Sequence, residues 1–384
     1  MPSPDLPIYL DYNATTPIHP EVAAVMRSCL EHNFGNPSSS HFYGMAAREA
    51  GANARLQTAN LLGCGPDEIV FTSGGTESNN HALKGYARAN ADHGNHIITS
   101  SIEHPAVLNV CRYLETQGFE VSYLPVDEYG MIQPDDVAQA IRDDTILISI
   151  MHANNEVGTI QPIREISRIA RSRNIVMHTD AAQTIGKIPC RVDELGADLL
   201  TVAGHKLYAP KGVGALYIRD GIQLEPLLHG AAHERGRRAS TENVHGIVGL
   251  GKACELITQA GTKAFGQLSD LRDRLQTQLQ RRIPDTRLNG HSSLRLPNTL
   301  NLSFAGINAG DLLAALRDSV AVSGGAACHD NTVEISQVLK AMAVPRVWAV
   351  GTIRFSIGAF TTMAEIDAAV ELITAAVVKL RGQY

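Results

Sequence analysis

Several familiar signatures are missing from this chain. It has one tryptophan, and aromatic residues make up 5% of its 384 positions. Its six cysteines (Cys29, Cys64, Cys111, Cys190, Cys254 and Cys328) are scattered with no C-x-x-C pair. That spacing argues against a zinc site or a disulfide scaffold, so no metal is expected, and it suits a reducing cytoplasm. No apolar run approaches the roughly 20 residues of a membrane span. Met1 to Ile8 has neither a basic start nor an apolar core and does not read as a secretory signal. The net charge is -6 with no basic excess, so binding of nucleic acid through a phosphate footprint is not expected. The G-x-G-x-x-G and G-K-[ST] fingerprints are absent, which argues against a dinucleotide or a nucleoside triphosphate.

What is present is an ordinary soluble composition, 44% hydrophobic and 19% charged, in a chain long enough for two domains. Apolar runs and helical spacings alternate. Strands are expected at Glu68 to Ser73, His96 to Ser100, Glu120 to Pro125, Thr145 to Met151, Ile175 to Thr179, Asp198 to Ala203 and Val213 to Ile218. Helices are expected at Pro20 to Glu31, Ala46 to Leu62, Glu77 to Ala91, Ala106 to Gln117, Gln133 to Ile141 and Ile163 to Arg173. Such alternation implies an α/β fold with a mostly parallel sheet covered on both faces. After Gly246 the pattern becomes a smaller α+β domain. A long helical region, Ile247 to Arg282, breaks near Gly261; strands follow at Thr299 to Phe304, Val320 to Ser323 and Thr352 to Ser356, with helices between them and a C-terminal helix from Ala364 to Leu380.

In a parallel sheet, functional loops gather at the carboxyl ends of the strands, and the polar clusters of this chain fall there. Lys206 lies between two apolar runs, after Gly204 and His205. It reads either as a surface lysine in a hairpin turn or as an amine that sheds its charge by forming an imine with a carbonyl cofactor. Gly74-Gly75-Thr76, between strand and helix, suits an anion. Asp180 suits a protonated pyridine nitrogen or a helix N-cap. His104 suits stacking on a planar cofactor and proton relay, or a hydrogen-bonded loop corner. Arg354, a charge in an apolar run, suits capture of a carboxylate or a structural ion pair. Small residues before Cys328 imply a mobile, close-fitting loop and a more reactive thiol than the other five cysteines, which read as packing or incidental. His233 to Asn243 is a basic, glycine-containing stretch, either a solvated loop or a set of donors for a phosphate.

Taken together, these residues resemble the cysteine desulfurases and their relatives the selenocysteine lyases, fold-type-I pyridoxal phosphate enzymes of the class V aminotransferase superfamily. The resemblance runs through Tyr9-Leu-Asp-Tyr-Asn-Ala-Thr-Thr-Pro17, Gly35-Asn-Pro-Ser-Ser39, Phe71 to Asn79, Glu103-His104, Asn154-Asn-Glu-Val-Gly158, His178 to Gln183, Gly204-His-Lys206, Glu234 to Arg238, Thr241-Glu-Asn243 and Arg354-Phe-Ser356. It implies an aspartate-aminotransferase-like fold: a large cofactor-binding domain over residues 16–260, and a small domain from 1–15 and 261–384 that carries the cysteine loop. It also implies Lys206 as the Schiff-base lysine, Asp180 at the pyridine nitrogen, Gln183 at the ring hydroxyl and His104 over the ring. Gly75, Thr76 and His205 would hold the phosphate, and Thr241 would reach the phosphate of a second copy in a homodimer. Asn155 and Arg354 would hold the substrate carboxylate. Cys328 would take the sulfur of L-cysteine as a persulfide, release L-alanine and pass the sulfur to an acceptor protein for iron–sulfur cluster assembly or thio-modification.

Two departures bear on the substrate. Ala203 stands where cysteine desulfurases usually carry a serine, which removes one phosphate hydroxyl. Gly325-Ala-Ala-Cys-His-Asp330 replaces the usual Ser-Ala-Cys-Thr-Ser pattern. Both features are similar to selenocysteine lyases, so release of selenium from L-selenocysteine is the alternative activity. A class V aminotransferase and a non-enzymatic scaffold are the more distant ones. The length from Cys328 to Ser336 resembles the long-loop desulfurases.

Overall fold

The computed structural model describes residues 6–261, 263–329 and 332–382; side chains at 263–265, 326–329 and 332–334 lie outside the described set. A seven-stranded sheet forms the centre, in the order Ile69–Thr72, Gly214–Ile218, Leu199–Ala203, Val176–Asp180, Thr145–Ser149, His96–Ser100, Glu120–Leu124. All neighbours are parallel except Gly214–Ile218, which runs against both of its partners. Successive side chains of a strand point to opposite faces. Ile97, Leu147, Val176 and Leu199 therefore enter one apolar layer, while Ile98, Ile148 and Met177 enter the layer behind and Leu200 and Val202 a neighbouring one. Burial on both faces explains why these strands read as continuous apolar runs rather than alternating ones. The alanine-rich helix Phe42–Leu62 lies against Val244–Ala260 at very close range. A Cβ at Gly251 would stand 2.5 Å from the Ala54 Cα, so neither position accepts a larger residue without separating the helices.

A second sheet is antiparallel throughout, in the order Ser323–Gly324, Thr352–Ser356, Thr299–Phe304, Thr286–Asn289. Helices Lys263–Arg282, Ala309–Leu316 and Met363–Arg381 accompany it, and Leu275, Leu279, Phe304, Ile353, Phe355, Ile373 and Val377 share one core. The last helix starts on a reciprocal cap: the Thr362 hydroxyl accepts from the Glu365 amide at 3.2 Å while the Glu365 carboxylate accepts from the Thr362 amide at 2.7 Å. Near the start of the chain, Ile8–Tyr9 pairs in parallel with Val320–Ala321, and Leu10 belongs to this second core. Among the described residues, no helix is long and apolar enough to cross a membrane.

Several elements differ from expectation: the helix expected from Ala46 starts at Phe42, and short helices at Val192–Leu195 and Arg346–Ala349 were not expected. The strand expected at Val320 to Ser323 is two short ones, because the chain changes partner at Val322: Val320–Ala321 joins Ile8–Tyr9, whereas Ser323–Gly324 joins Arg354 and Ile353. The helix expected from Glu77 to Ala91 starts two residues earlier, at Gly75, ends at Ala89, and holds a π turn at His81–Gly85. The stretch around Cys328, read as a loop, is backbone-paired: Ala326–His329 runs antiparallel to Thr332–Ile335, with Cys328 opposite Val333. The edge strand Thr286–Asn289 went unread because it is only half buried and mostly polar.

Candidate active site

Five strands of the large sheet end at one cavity of about 370 Å³, within the roughly 300–1,000 Å³ usual for small-molecule sites. Ile69–Thr72 leads to Gly75 and Thr76, and His96–Ser100 to His104. Thr145–Ser149 leads to Met151 and Asn155, Val176–Asp180 ends on Asp180 and leads to Gln183, and Leu199–Ala203 leads to His205 and Lys206. Arg354 enters from the second sheet. The structure thus brings together nine of the sequence-predicted residues: Gly75, Thr76, His104, Asn155, Asp180, Gln183, His205, Lys206 and Arg354. Thr241 lines a different hollow, beside Ser73 and Arg238. The Cys328 side chain lies outside the described residues.

Lys206 is not the exposed hairpin lysine. It closes a single tight turn, Gly204–Lys206, in which a Cβ at Gly204 would stand 2.7 Å from the Val213 carbonyl oxygen. Its Nζ donates to the carbonyl oxygens of Asn13 at 2.5 Å and Ala14 at 2.7 Å. Burial, with Arg354 adding to it, lowers the ammonium to about 8, against the pull of Asp11 and Asp180. Next to it, the His205 ring contacts the Thr15 hydroxyl at 3.1 Å, and burial lowers its imidazolium to about 4. The His205 carbonyl accepts from the Thr16 amide at 2.9 Å, so the Asn13 to Thr16 segment is docked along the lysine turn.

Asp180 lines the cavity but is not a helix N-cap, because turns and not a helix follow the strand that it ends. One of its oxygens accepts from the Ala182 amide at 2.9 Å and the other from Asn79 Nδ2 at 2.7 Å. His104 is a hydrogen-bonded corner: its Nδ1 accepts from the Ala106 amide at 3.1 Å, capping Pro105–Glu115, and the residue also lines the cavity. Burial and Lys206 push its imidazolium down and Asp180 pulls it up, with a net lowering that favours the neutral ring. Arg354 is indeed an ion pair, with Asp11 at 2.7 Å; it also donates to the Ser323 hydroxyl at 3.0 Å and the Asn155 carbonyl at 3.1 Å. Among the described residues its buried Nε has no acceptor, which suits it to an incoming anion.

Sequence reasoning missed Asn13, Ala14, Asn79 and Lys187. Asn13 and Ala14 stood in one quoted motif, Tyr9 to Pro17, and Asn79 at the end of another, Phe71 to Asn79, but nothing in their spacing marks a partner for Lys206 or Asp180. Lys187 is buried, four residues after Gln183, and donates to Gln183 Oε1 at 2.9 Å.

The residues present fit pyridoxal phosphate. A pyridinium needs an anion, which Asp180 could supply; a ring oxygen needs a donor, which Gln183 could supply; an aldehyde needs an amine, which Lys206 could supply. A phosphate needs donors at a strand-to-helix turn, supplied at Gly75 and Thr76 with His205 beside them.

The chain matches the class-V aminotransferase family over residues 8–369. It is 51% identical over 375 residues to the cysteine desulfurase IscS of Dictyoglomus turgidum, covering 97% of this chain and 95% of that protein. It is 52% identical over 376 residues to the IscS of Methanosarcina thermophila, covering 98% and 93%. A solved NifS-like protein superposes with a TM-score of 0.92 at 38% identity, covering 97% of this chain and 100% of that one. A structure of SspA in complex with cysteine superposes with a TM-score of 0.81, also at 38% identity, covering 92% and 100%. A match of this extent in both sequence and fold makes the chain a member of the class-V aminotransferase family.

Proposed function

We propose that this protein is a pyridoxal phosphate-dependent cysteine desulfurase that converts L-cysteine to L-alanine and holds the sulfur as a persulfide on Cys328. The observation that carries the reading is the convergence of Lys206, Asp180, Gln183, His104 and Arg354 on one cavity. The names of the curated relatives favour this activity over selenocysteine lyase, and a neighbour has been solved with cysteine bound. When bound, the cofactor supplies an electron sink that lets the substrate Cα give up its proton and the carbon–sulfur bond break.

The chain supplies the rest. Lys206 is a buried amine whose proton is loosely held, so it serves both as the anchor and as a proton carrier. His104, whose imidazolium is pushed down, lines the same cavity and can act as a base. Arg354 Nε and the Asn155 side chain hold the substrate carboxylate. Cys328 forms the bond to the substrate sulfur, and alanine leaves. The other cysteines do not compete for that role. Burial pushes the thiols of Cys64, Cys111, Cys190 and Cys254 up to about 12, and that of Cys29 upward as well.

We read residues 16–260 as the unit that holds the cofactor, and 1–15 with 261–384 as the unit that brings Arg354 and Cys328 to it. A homodimer is supported by a patch of exposed Phe34, Phe42, Tyr43 and Met45, with Thr241 serving the cavity of the second copy. We take the sulfur acceptor to be another protein and the compartment to be the cytoplasm, where a cysteine thiol stays reduced. Alanine release from L-cysteine, compared with release from L-selenocysteine, tests the assignment. Turnover of both substrates by wild type, with turnover of L-cysteine lost in Cys328→Ala, is the expected result. Turnover of L-selenocysteine alone would contradict it.

A further inference from the structure

We propose that Lys187 is a positioning residue that sets the orientation of the Gln183 amide, so that the cavity presents an N–H donor to an oxygen of the bound cofactor. Lys187 is buried, yet its Nζ is hydrogen-bonded to two amide oxygens rather than to a carboxylate: Gln183 Oε1 at 2.9 Å and Asn13 Oδ1 at 3.2 Å. A lysine amine next to an amide selects its oxygen, because an ammonium has donors and no acceptor. With Oε1 held by Lys187, Gln183 Nε2 must point the other way. It donates to the Asn13 carbonyl at 3.0 Å, and the residue lines the cavity. A glutamine presented by its nitrogen recognises an acceptor, which fits an ionised ring hydroxyl.

The same lysine orders Asn13. With Asn13 Oδ1 taken by Lys187 and by Asn298 Nδ2 at 3.0 Å, Asn13 Nδ2 donates to the Asn155 carbonyl at 3.2 Å and the Thr299 hydroxyl at 2.9 Å. The Asn13 carbonyl is then placed to receive Lys206 Nζ at 2.5 Å. Lys187 therefore touches the ring donor Gln183 directly and is one residue, Asn13, removed from the amine of Lys206. Its charged and titratable neighbours are Lys206 and Arg354, which add to the effect of burial in lowering its ammonium to about 7, and Cys190, which opposes them.

The proposal rests on the reading of Gln183 as a cofactor contact. Its test is the pH midpoint of the visible band of the protein loaded with pyridoxal phosphate, together with the dissociation constant of that cofactor from the apoprotein. In Lys187→Met the amide is free to turn and the ring oxygen loses its donor, so its proton is held to higher pH. The expected result is a midpoint raised by about one unit and a dissociation constant raised about tenfold. Gln183→Leu should shift the midpoint likewise, and the double variant no further than Gln183→Leu alone. A merely structural lysine would lower the melting temperature and leave the midpoint in place. An unshifted midpoint in folded Lys187→Met, or additive shifts in the double variant, overturns the proposal. If Lys187→Met does not fold, Lys187→Gln is measured, with a smaller upward shift expected and an unshifted midpoint again decisive against. A wild-type protein that gains no visible band on adding pyridoxal phosphate overturns the cofactor reading itself.

Discussion

Lys206 is held by two carbonyl oxygens rather than by a carboxylate, and this sets its chemistry. Carbonyls accept hydrogen bonds from it without supplying the full counter-charge that would fix it as an ammonium, so burial lowers it to about 8. A lysine with a lowered value is charged below it and neutral above it. The rate at which the apoprotein takes up pyridoxal phosphate should therefore rise about tenfold per pH unit up to about pH 8 and then level off. Following the visible absorbance after mixing measures this, and a rate flat from about pH 6 to about pH 9 would contradict it. Ala203 lies in the cavity wall, and a Cβ built at Gly75 would stand 3.2 Å from the Ala203 Cβ. A hydroxyl there would stand beside the Gly75 turn proposed to hold the phosphate, so Ala203→Ser should tighten cofactor binding several-fold, on the order of 1 kcal/mol; equilibrium titration of the apoprotein decides it. Asp180, His104 and Arg354 each carried two readings in the sequence, and in the structure each is hydrogen-bonded to the protein while also lining the cavity. Sequence pattern sees a residue's type and neighbours in the chain; it does not see that one side chain can hold a local partner and still line a cavity. Asn79 and Lys187 were illegible for the same reason, since their partners lie 101 residues away in one case and partly 174 away in the other.

At the scale of elements, the strands were legible where both faces are buried, because a continuous apolar run has few other uses. Pairing was not legible. Val320 to Ser323 shows one apolar stretch, but which strand each half joins depends on Ile8–Tyr9 and Thr352–Ser356, far away in the chain. The basic stretch from His233 is another case. It read as either a solvated loop or a set of phosphate donors, whereas much of its charge is spent internally. Glu234 is buried and accepts from Arg55 at 2.6 and 2.9 Å and from the Phe71 amide at 3.0 Å, and Arg238 pairs with Glu77 at 2.8 Å. These bonds hold Glu234 and Arg235 in left-handed backbone, at φ 46° and 60°. Glu234→Ala leaves Arg55 unpaired and relaxes the loop. A loss of about 2–3 kcal/mol in unfolding free energy is expected, below the full buried-pair value because Arg55 keeps some solvent contact. Denaturant titration measures it, and an unchanged midpoint would show the loop to be self-supporting.

The molecule as a whole places its chemistry where two sheets meet, with five strand ends of one and Arg354 of the other around a single cavity. The proposed division of labour, cofactor on one unit and sulfur-accepting cysteine on the other, follows from that meeting. The patch of Phe34, Phe42, Tyr43 and Met45 predicts pairing of two copies. Phe42→Glu puts a charge into it and should shift the protein toward monomer by light scattering, with activity falling in parallel; a wild-type monomer at full activity would contradict the dimer. The sulfur-transfer claim has the most direct test. After incubation of the holoprotein with L-cysteine, intact-protein and peptide mass spectrometry should find the mass of one added sulfur atom on the peptide containing Cys328, removable by a thiol reductant and absent from Lys206→Ala. Alanine formed at full rate with no added sulfur at Cys328 would contradict the account.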